Sequence, residues 1–404
     1  MATLPIHDVI EELQTLLKSN NRLILQAPPG AGKTTVVPLS LLDEPWLGGK
    51  QIIMLEPRRI AARSAAARMA QLLGEKAGER VGYQIRAEKK LSEQTKILVV
   101  TEGILTRMLQ RDPSLENVAL ILFDEFHERH LHSDLSLAFA LQSQEFLRED
   151  LKILVMSATL DTDALQTLLN HPPLITSEGR SFPITIEHLP PNSPSIEAKK
   201  IVPALMGILK DILVRDEGSI LVFLPGTREI KTLEASLREH CSPMEIDIAP
   251  LYGELSKADQ EKAIFPSSKR KIVLATNIAE TSLTIEGIRI VVDSGLEKVL
   301  TFDPRSGMER LVTRRISRAS ADQRAGRAGR LSSGKCYRLW SESAHHALTP
   351  HKEAEIRVCD LTPLALELSA WGDSQLSWID PPPAKALSHG MELLHTLEAT
   401  DAKG

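Results

Sequence analysis

The residues best equipped for chemistry open with a glycine-rich loop, Ala27-Pro28-Pro29-Gly30-Ala31-Gly32-Lys33-Thr34-Thr35. An apolar run at 22–26 leads into it and a helical pattern follows, the strand-loop-helix context in which such a loop cradles phosphate. Gly30 and Gly32 free the backbone to close its N–H groups around β- and γ-phosphates, with Ala31 and Thr35 in the same cradle. The positive end of the next helix faces the anion, Lys33 reaches the phosphate oxygens, and the Thr34 hydroxyl is a ligand for Mg²⁺. Ala27 stands where the pattern's first glycine is expected, and its side chain is small. A glycine-proline turn ending by chance in Gly-Lys-Thr is the bland alternative, and the flanking strand and helix argue against it.

A second constellation follows the apolar run 118–123, which ends in Asp124-Glu125-Phe126-His127. A parallel strand delivers such acids to the carboxyl edge of its sheet. There Asp124 would hold Mg²⁺ and Glu125 would orient and deprotonate a water, which gives the metal set Thr34, Asp124 and Glu125. An acid pair at a strand end is a weak signal alone, and the phosphate loop upstream makes it a strong one. The run 152–156 ends in Ser157-Ala158-Thr159, whose hydroxyls could bond the acidic loop or simply cap a helix.

Positioning these residues requires strands that alternate with helices. Runs at 22–26, 51–55, 96–100, 118–123 and 152–156 predict one parallel sheet, and runs at 219–224, 245–250, 271–276 and 288–293 predict a second beyond a Pro- and Ser-rich stretch at 189–195. The composition shift near 178–183 puts the expected domains at 1–180, 181–345 and 346–404. The last of these is a small module with helices at 363–371 and 383–397.

Bulk properties narrow the class. No apolar run approaches the roughly 18 residues of a membrane span, and no signal segment is apparent, so a cytoplasmic, membrane-free protein is expected. Three scattered cysteines, Cys241, Cys336 and Cys359, suit neither a disulfide framework nor a metal site. Net charge is −5, yet residues 298–338 hold eleven Lys or Arg against Asp303, Glu309 and Asp322, an excess that either meets phosphates or forms a solvated face. With 4% aromatic residues, base-stacking platforms are scarce, so any nucleic-acid grip should fall on the backbone.

The chain resembles the DExH-box helicases of the DEAH subgroup. Asp124-Glu125-Phe126-His127 and the arrangement around it are most similar to the bacterial HrpB branch, with Leu55-Glu56-Pro57-Arg58-Arg59 like motif Ia and Thr101-Glu102-Gly103 like motif Ib. The run Thr276-Asn277-Ile278-Ala279-Glu280-Thr281-Ser282-Leu283-Thr284-Ile285 is close to motif V, and Gln323-Arg324-Ala325-Gly326-Arg327-Ala328-Gly329-Arg330 is similar to motif VI. The resemblance implies two tandem RecA-like α/β domains that hydrolyse ATP between them, followed by a winged-helix-like module.

It further implies Arg327 and Arg330 as arginine fingers, their three-residue spacing placing them on one side of a helix, with Gln323 holding the water. Arg68 and Phe265 would sandwich adenine. Arg58, Arg59, Arg86 and Thr101 in the first domain, and Thr276, Asn277 and Thr281 in the second, would grip single-stranded nucleic acid, with RNA favoured over DNA. A hairpin within 300–320, arms 299–303 and 309–313, could act as a wedge or be a plain surface feature.

Family members usually continue into a helical ratchet and an OB-like fold. These 404 residues lack both, which implies a shortened or minimal form. An ATP-driven RNA helicase or translocase is the expectation, with the identity of any adaptor protein left open. A DNA helicase of the same superfamily and a nucleotide-gated RNA-binding switch with incidental ATPase are the alternatives. A plain P-loop phosphotransferase would have no use for motifs V and VI.

Overall fold

The computed structural model describes residues 4–158, 162–179, 182–191, 193, 196–241, 245–280, 285–303, 306–330, 332–372 and 375–400. The chain divides into two compact units. One holds the chain to Gly179, the stretch Thr301–Arg310 and the chain from Glu353 on; the other holds Arg180–Leu300 and Leu311–Lys352.

The first unit is built on eight strands: β1 (Arg22–Gln26), β2 (Gln51–Glu56), β3 (Val81–Ile85), β4 (Glu88–Lys90), β5 (Ile97–Thr101), β6 (Val118–Phe123), β7 (Lys152–Ser157) and β8 (Leu174–Thr176). They lie in the order β4-β3-β5-β2-β6-β7-β1-β8. Only the β3–β4 pair is antiparallel. Continuous apolar runs are what a sheet covered on both faces demands. Alternate residues feed different cores. Leu23, Ile52, Met54, Leu120 and Leu154 pack on one side; Ile24, Ile53, Leu55, Ile121 and Val155 pack on the other. The second core also takes Ile356, Leu361, Leu364 and Leu368 from beyond Glu353, and Trp371 stacks on Phe139 with ring centroids 4.0 Å apart. Residues expected to form a closing module therefore belong to the first unit's core. Their predicted helices appear as Thr362–Trp371 and Ala384–Thr396.

The second unit carries β9 (Ile184–Leu189), β10 (Ser219–Phe223), β11 (Ile246–Leu251), β12 (Arg270–Ala275), β13 (Ile288–Asp293) and β16 (Gly334–Ser341), ordered β11-β12-β10-β13-β16-β9 with every pair parallel. Strands β14 (Leu296–Asp303) and β15 (Met308–Arg315) form the predicted hairpin with longer arms than expected, and the turn residues Pro304 and Arg305 lie outside the described residues. Its tip counts with the first unit, where Phe302 N–H donates to Val358 O at 3.1 Å.

Strands β3, β4 and β8 of the first sheet, the edge strand β9 of the second and the buried β16 were not anticipated. In β16 the polar residues that break the apolar pattern are paired, Lys335 with Asp216 at 2.6 Å and Arg338 with Asp322 at 2.7 Å. Such pairing lets charged side chains sit in a strand that is otherwise core.

Candidate nucleotide site and its surroundings

Because β1, β2, β5, β6 and β7 are parallel, the loops that follow them collect at one edge of the first sheet. The glycine-rich loop leaves β1 there. Gly30 and Gly32 have φ of +86° and +101°, the left-handed region that only glycine enters without cost. A Cβ on Gly32 would also stand 2.9 Å from Leu4 Cδ1. Ala27, the departure from the glycine pattern, is fully buried in the apolar core and its N–H donates to Ser157 O at 2.9 Å, so a side chain is accommodated there. Ala31 is buried and its carbonyl accepts from Ile6 N–H at 3.1 Å, while Thr35 N–H donates to Gly32 O at 3.2 Å. Lys33 begins the helix Lys33–Ser40, whose first-turn N–H groups lie beyond the Gly32 N-cap.

The acid pair meets this loop. Thr34 Oγ1 donates to Asp124 Oδ2 at 2.5 Å, and Lys33 Nζ lies 3.1 Å from Glu125 Oε1 and 4.0 Å from Asp124 Oδ1. Asp124 Oδ1 accepts the Glu125 N–H at 2.8 Å. Glu125 itself adopts φ +49°, which few non-glycine residues do, and this conformation sets the direction of its carboxylate. Its second oxygen is buried, accepts no hydrogen bond and stands 3.5 Å from His127 Nδ1.

Electrostatics at this cluster are those of charges removed from water. Burial pushes the Asp124 carboxyl up to about 6, against the pull of Lys33. Burial acts the same way on Glu125, but Lys33 and His127 outweigh it and hold that carboxyl below its ordinary value. For Lys33, burial would lower the ammonium, and the Glu125 and Asp124 carboxylates reverse the direction. Glu56, at the end of β2 and 0% exposed, completes the group; burial and then the two neighbouring acids raise its carboxyl well above the usual range. It was read from the sequence only as part of a basic motif. An acid closing a strand of buried apolar residues was the available signal.

A loop that offers lysine and threonine beside two ionisable carboxylates fits a phosphate with a divalent cation. Among the described residues no group of three or more His, Cys, Asp or Glu could hold a metal by itself.

Of the remaining predicted residues of the first unit, Arg58, Arg59, Arg86 and Thr101 follow or end the parallel strands β2, β3 and β5 at this edge. Arg58 is partly buried and its Nη2 lies 2.8 Å from Glu128 Oε2. Arg59 is exposed at the start of helix Arg59–Leu72, Arg86 is exposed in the β3–β4 turn, and Thr101 ends β5 as the N-cap of helix Glu102–Arg111. Arg68 is exposed on Arg59–Leu72, with Nη1 donating to Gln71 at 2.9 Å. At the end of β7 the Ala158 N–H donates to His127 Nδ1 at 3.4 Å, which joins this strand end to the acid loop. Thr159 lies outside the described residues.

In the second unit, Thr276 and Asn277 are part-buried where β12 turns into Asn277–Ala279, and Thr281 lies outside the described residues along with Ser282, Leu283 and Thr284. Phe265 is 61% exposed at the end of helix Lys257–Ile264. Gln323 and Arg330 are part-exposed, and Arg327 is 4% exposed with Nε donating to Glu280 O at 2.9 Å. One expectation is corrected here. Arg327 and Arg330 do not share a helix face, because the helix ends at Ala325 with Gly326 as its C-cap. Beyond the helix end the chain is closely packed, and a Cβ on Gly329 would meet Ile184 and the Phe182 carbonyl at 2.7 Å.

Sequence reasoning passed over Arg324. It is 0% exposed, lies 2.9 Å from both Glu280 Oε2 and Asp293 Oδ1, and stacks 4.8 Å above the Phe223 ring. Motif V, motif VI and the end of β13 are thus tied by one guanidinium. The basic run 298–338 is similarly occupied, since Lys298, Arg314, Arg324, Lys335 and Arg338 all pair with acids of their own unit.

Comparison with known proteins agrees with this geometry. Residues 8–168 match the DEAD/DEAH box helicase domain and residues 203–332 the helicase conserved C-terminal domain. The chain is 48% identical to the ATP-dependent RNA helicase HrpB of Escherichia coli K12 over 408 residues, covering 100% of this chain and 50% of that protein. It is 38% identical to the probable ATP-dependent RNA helicase DHX34 of Homo sapiens, over 99% of this chain and 36% of that protein. A crystal structure of the E. coli DEAH/RHA helicase HrpB superposes with a TM-score of 0.91 at 48% identity, over 99% of this chain and 51% of that one. The chain therefore spans half the length, or less, of the curated relatives it matches.

Proposed function

The chain belongs to the DEAD/DEAH-box helicase family, and from that membership we propose that it hydrolyses ATP and couples the cycle to movement along single-stranded nucleic acid, RNA in preference to DNA. The observation that carries the proposal is the contact of Lys33 and Thr34 with Glu125 and Asp124, which joins a phosphate cradle to a candidate base. Gly30, Ala31, Gly32, Thr34 and Thr35 enclose the phosphates, and Lys33 leaves the carboxylates for phosphate oxygens when nucleotide enters. Thr34, Asp124 and Glu125 would hold or face a magnesium ion, which when bound neutralises the phosphate charge. Glu125, ionised because its carboxyl is held low, orients a water and takes its proton as the water attacks the γ-phosphorus.

Gln323, Arg327 and Arg330 are assigned to the γ-phosphate and its water, and Arg68 and Phe265 to the adenine; the exposure of Arg68 and Phe265 supports the second assignment. Arg59, Arg86, Thr101, Thr276, Asn277 and Thr281 are assigned to the nucleic-acid backbone. Arg58 joins them on condition that a phosphate displaces Glu128. RNA is preferred because the relatives named above are RNA helicases. No helix among the described residues is long and apolar enough to cross a membrane, and the free thiols of Cys241, Cys336 and Cys359 suit the reducing cytoplasm.

Steady-state ATPase on the purified chain, with no nucleic acid, single-stranded RNA or matched DNA, tests the proposal. Hydrolysis stimulated by RNA is expected; equal stimulation by DNA would remove the sugar preference, and absence of hydrolysis would overturn the reading. Lys33→Ala should abolish nucleotide affinity. Glu125→Gln should bind ATP normally and lose about 10²-fold or more in turnover, as removal of a general base does.

A further inference from the structure

We propose that Glu355 and Asp380, acids from the far end of the chain, are positioning residues that hold the loop carrying Glu125 in its working conformation. The proposal rests on the reading of Glu125 as the base. That loop is strained at two places: Glu125 and Arg129 have φ of +49° and +50°, on either side of the short turn Phe126–Glu128. A left-handed non-glycine residue is strained and persists only where its surroundings enforce it.

At the Glu125 end the enforcement comes from Asp124 and Lys33. At the Arg129 end it comes from residues more than 220 positions away in sequence, within the same unit. Glu355 N–H donates to Arg129 O at 3.0 Å, fixing the strained peptide. The Glu355 carboxylate accepts the Leu131 N–H at 2.8 Å and lies 3.3 Å from His130 Nδ1. His130, the N-cap of helix Leu131–Phe146, makes no side-chain cap of its own, and Glu355 supplies the missing acceptor. Arg129 forms a bidentate pair with Asp134 at 3.1 and 2.9 Å and a further bond to Asp380 at 2.8 Å. Arg357 also bonds Asp380 and keeps it in place.

The connection back to the base is short. His130 Nε2 lies 2.9 Å from Glu128 Oε2, and Glu128 N–H donates to Glu125 O at 2.9 Å. Ile356 and Leu361 are 0% and 1% exposed, so the clamp is rooted in the core and does not swing freely. Releasing it lets the turn relax and re-aims the Glu125 carboxylate, while the phosphate loop, on the other side of the acid pair, is untouched. Misplacing a catalytic group by about 1 Å costs on the order of 10²-fold in rate.

The test uses the full chain and compares wild type, Glu355→Ala, Glu355→Gln, Asp380→Asn and Glu125→Gln. It measures kcat, KM, equilibrium affinity for a non-hydrolysable ATP analogue and thermal midpoint. Glu355→Ala should lose about tenfold or more in kcat with KM and nucleotide affinity within about twofold of wild type. Glu355→Gln should recover most of the loss, since its amide oxygen still accepts the Leu131 N–H, and Asp380→Asn should show a smaller loss of the same kind. A folded Glu355→Ala with wild-type kcat, or one whose kcat and affinity fall together, overturns the proposal. Should Glu355→Ala fail to fold, wild-type kcat in Asp380→Asn does the same, since Asp380 holds Arg129 at the strained end of the loop. If Asp380→Asn and a folded Glu355→Ala are normal while Glu125→Gln is inactive, only the positioning idea is lost; if Glu125→Gln hydrolyses ATP at the wild-type rate, the reading of the base falls with it.

Discussion

Arg324 shows how much one side chain can organise without touching substrate. Two carboxylates in a dry interior are tolerated only because a guanidinium satisfies both, and breaking such a pair leaves an uncompensated buried charge. Arg324→Met should therefore lower the stability of the second unit by about 3–5 kcal/mol, measured by urea unfolding, although methionine fills much of the volume. A change below about 1 kcal/mol would mean that Glu280 and Asp293 find water or other partners. The motif residues were legible from type and spacing, because chemistry constrains them: phosphate needs glycine, lysine and hydroxyl in sequence. Arg324 was not, since nothing in Arg-Ala-Gly-Arg-Ala-Gly-Arg distinguishes the arginine that bridges Glu280 and Asp293 from the two that follow it.

Elements were legible where one physical rule governed them. Strands β1, β2, β5, β6 and β7 are buried on both faces and read as apolar runs. Strand β9 at the sheet edge is mostly part-exposed, so its composition resembles a loop, and β16 hides paired charges in an apolar setting. The ribbon β3–β4 depends on close backbone approach. A Cβ on Gly82 would stand 2.6 Å from the Lys90 carbonyl oxygen. Gly82→Ala should cost about 1–3 kcal/mol, as overpacking does, and should raise amide exchange across β3 and β4, loosening the turn that carries Arg86. Exchange rates unchanged from wild type there would show that the ribbon can shift to admit a methyl group.

At the scale of the molecule, the first unit is assembled from distant stretches of chain and stitched by buried charge. Burial would lower the His130 imidazole, but Glu102, Glu128 and Glu355 outweigh it and raise its pKa from 6.5 to about 10. A group raised in the folded state contributes stability that is complete below its unfolded pKa and is lost as pH rises through the folded value. The thermal midpoint should therefore fall between pH 6.5 and about 10, and His130→Gln should flatten that fall. Equal slopes in the two proteins would assign the pH dependence to other groups.

The amino-acid order was sufficient for the phosphate loop, the acid pair, the two α/β halves and the family, because these depend on local spacing and on the periodicity of buried strands. Which partner each charge takes depended on the tertiary fold. Arg58 meets Glu128, Arg324 and Arg338 of the basic run turn inward to acids, Arg327 leaves its helix at Gly326, and Glu355 reaches the loop of Glu125. Desolvation makes such choices steep, and it acts only between groups that folding brings together from remote parts of the chain.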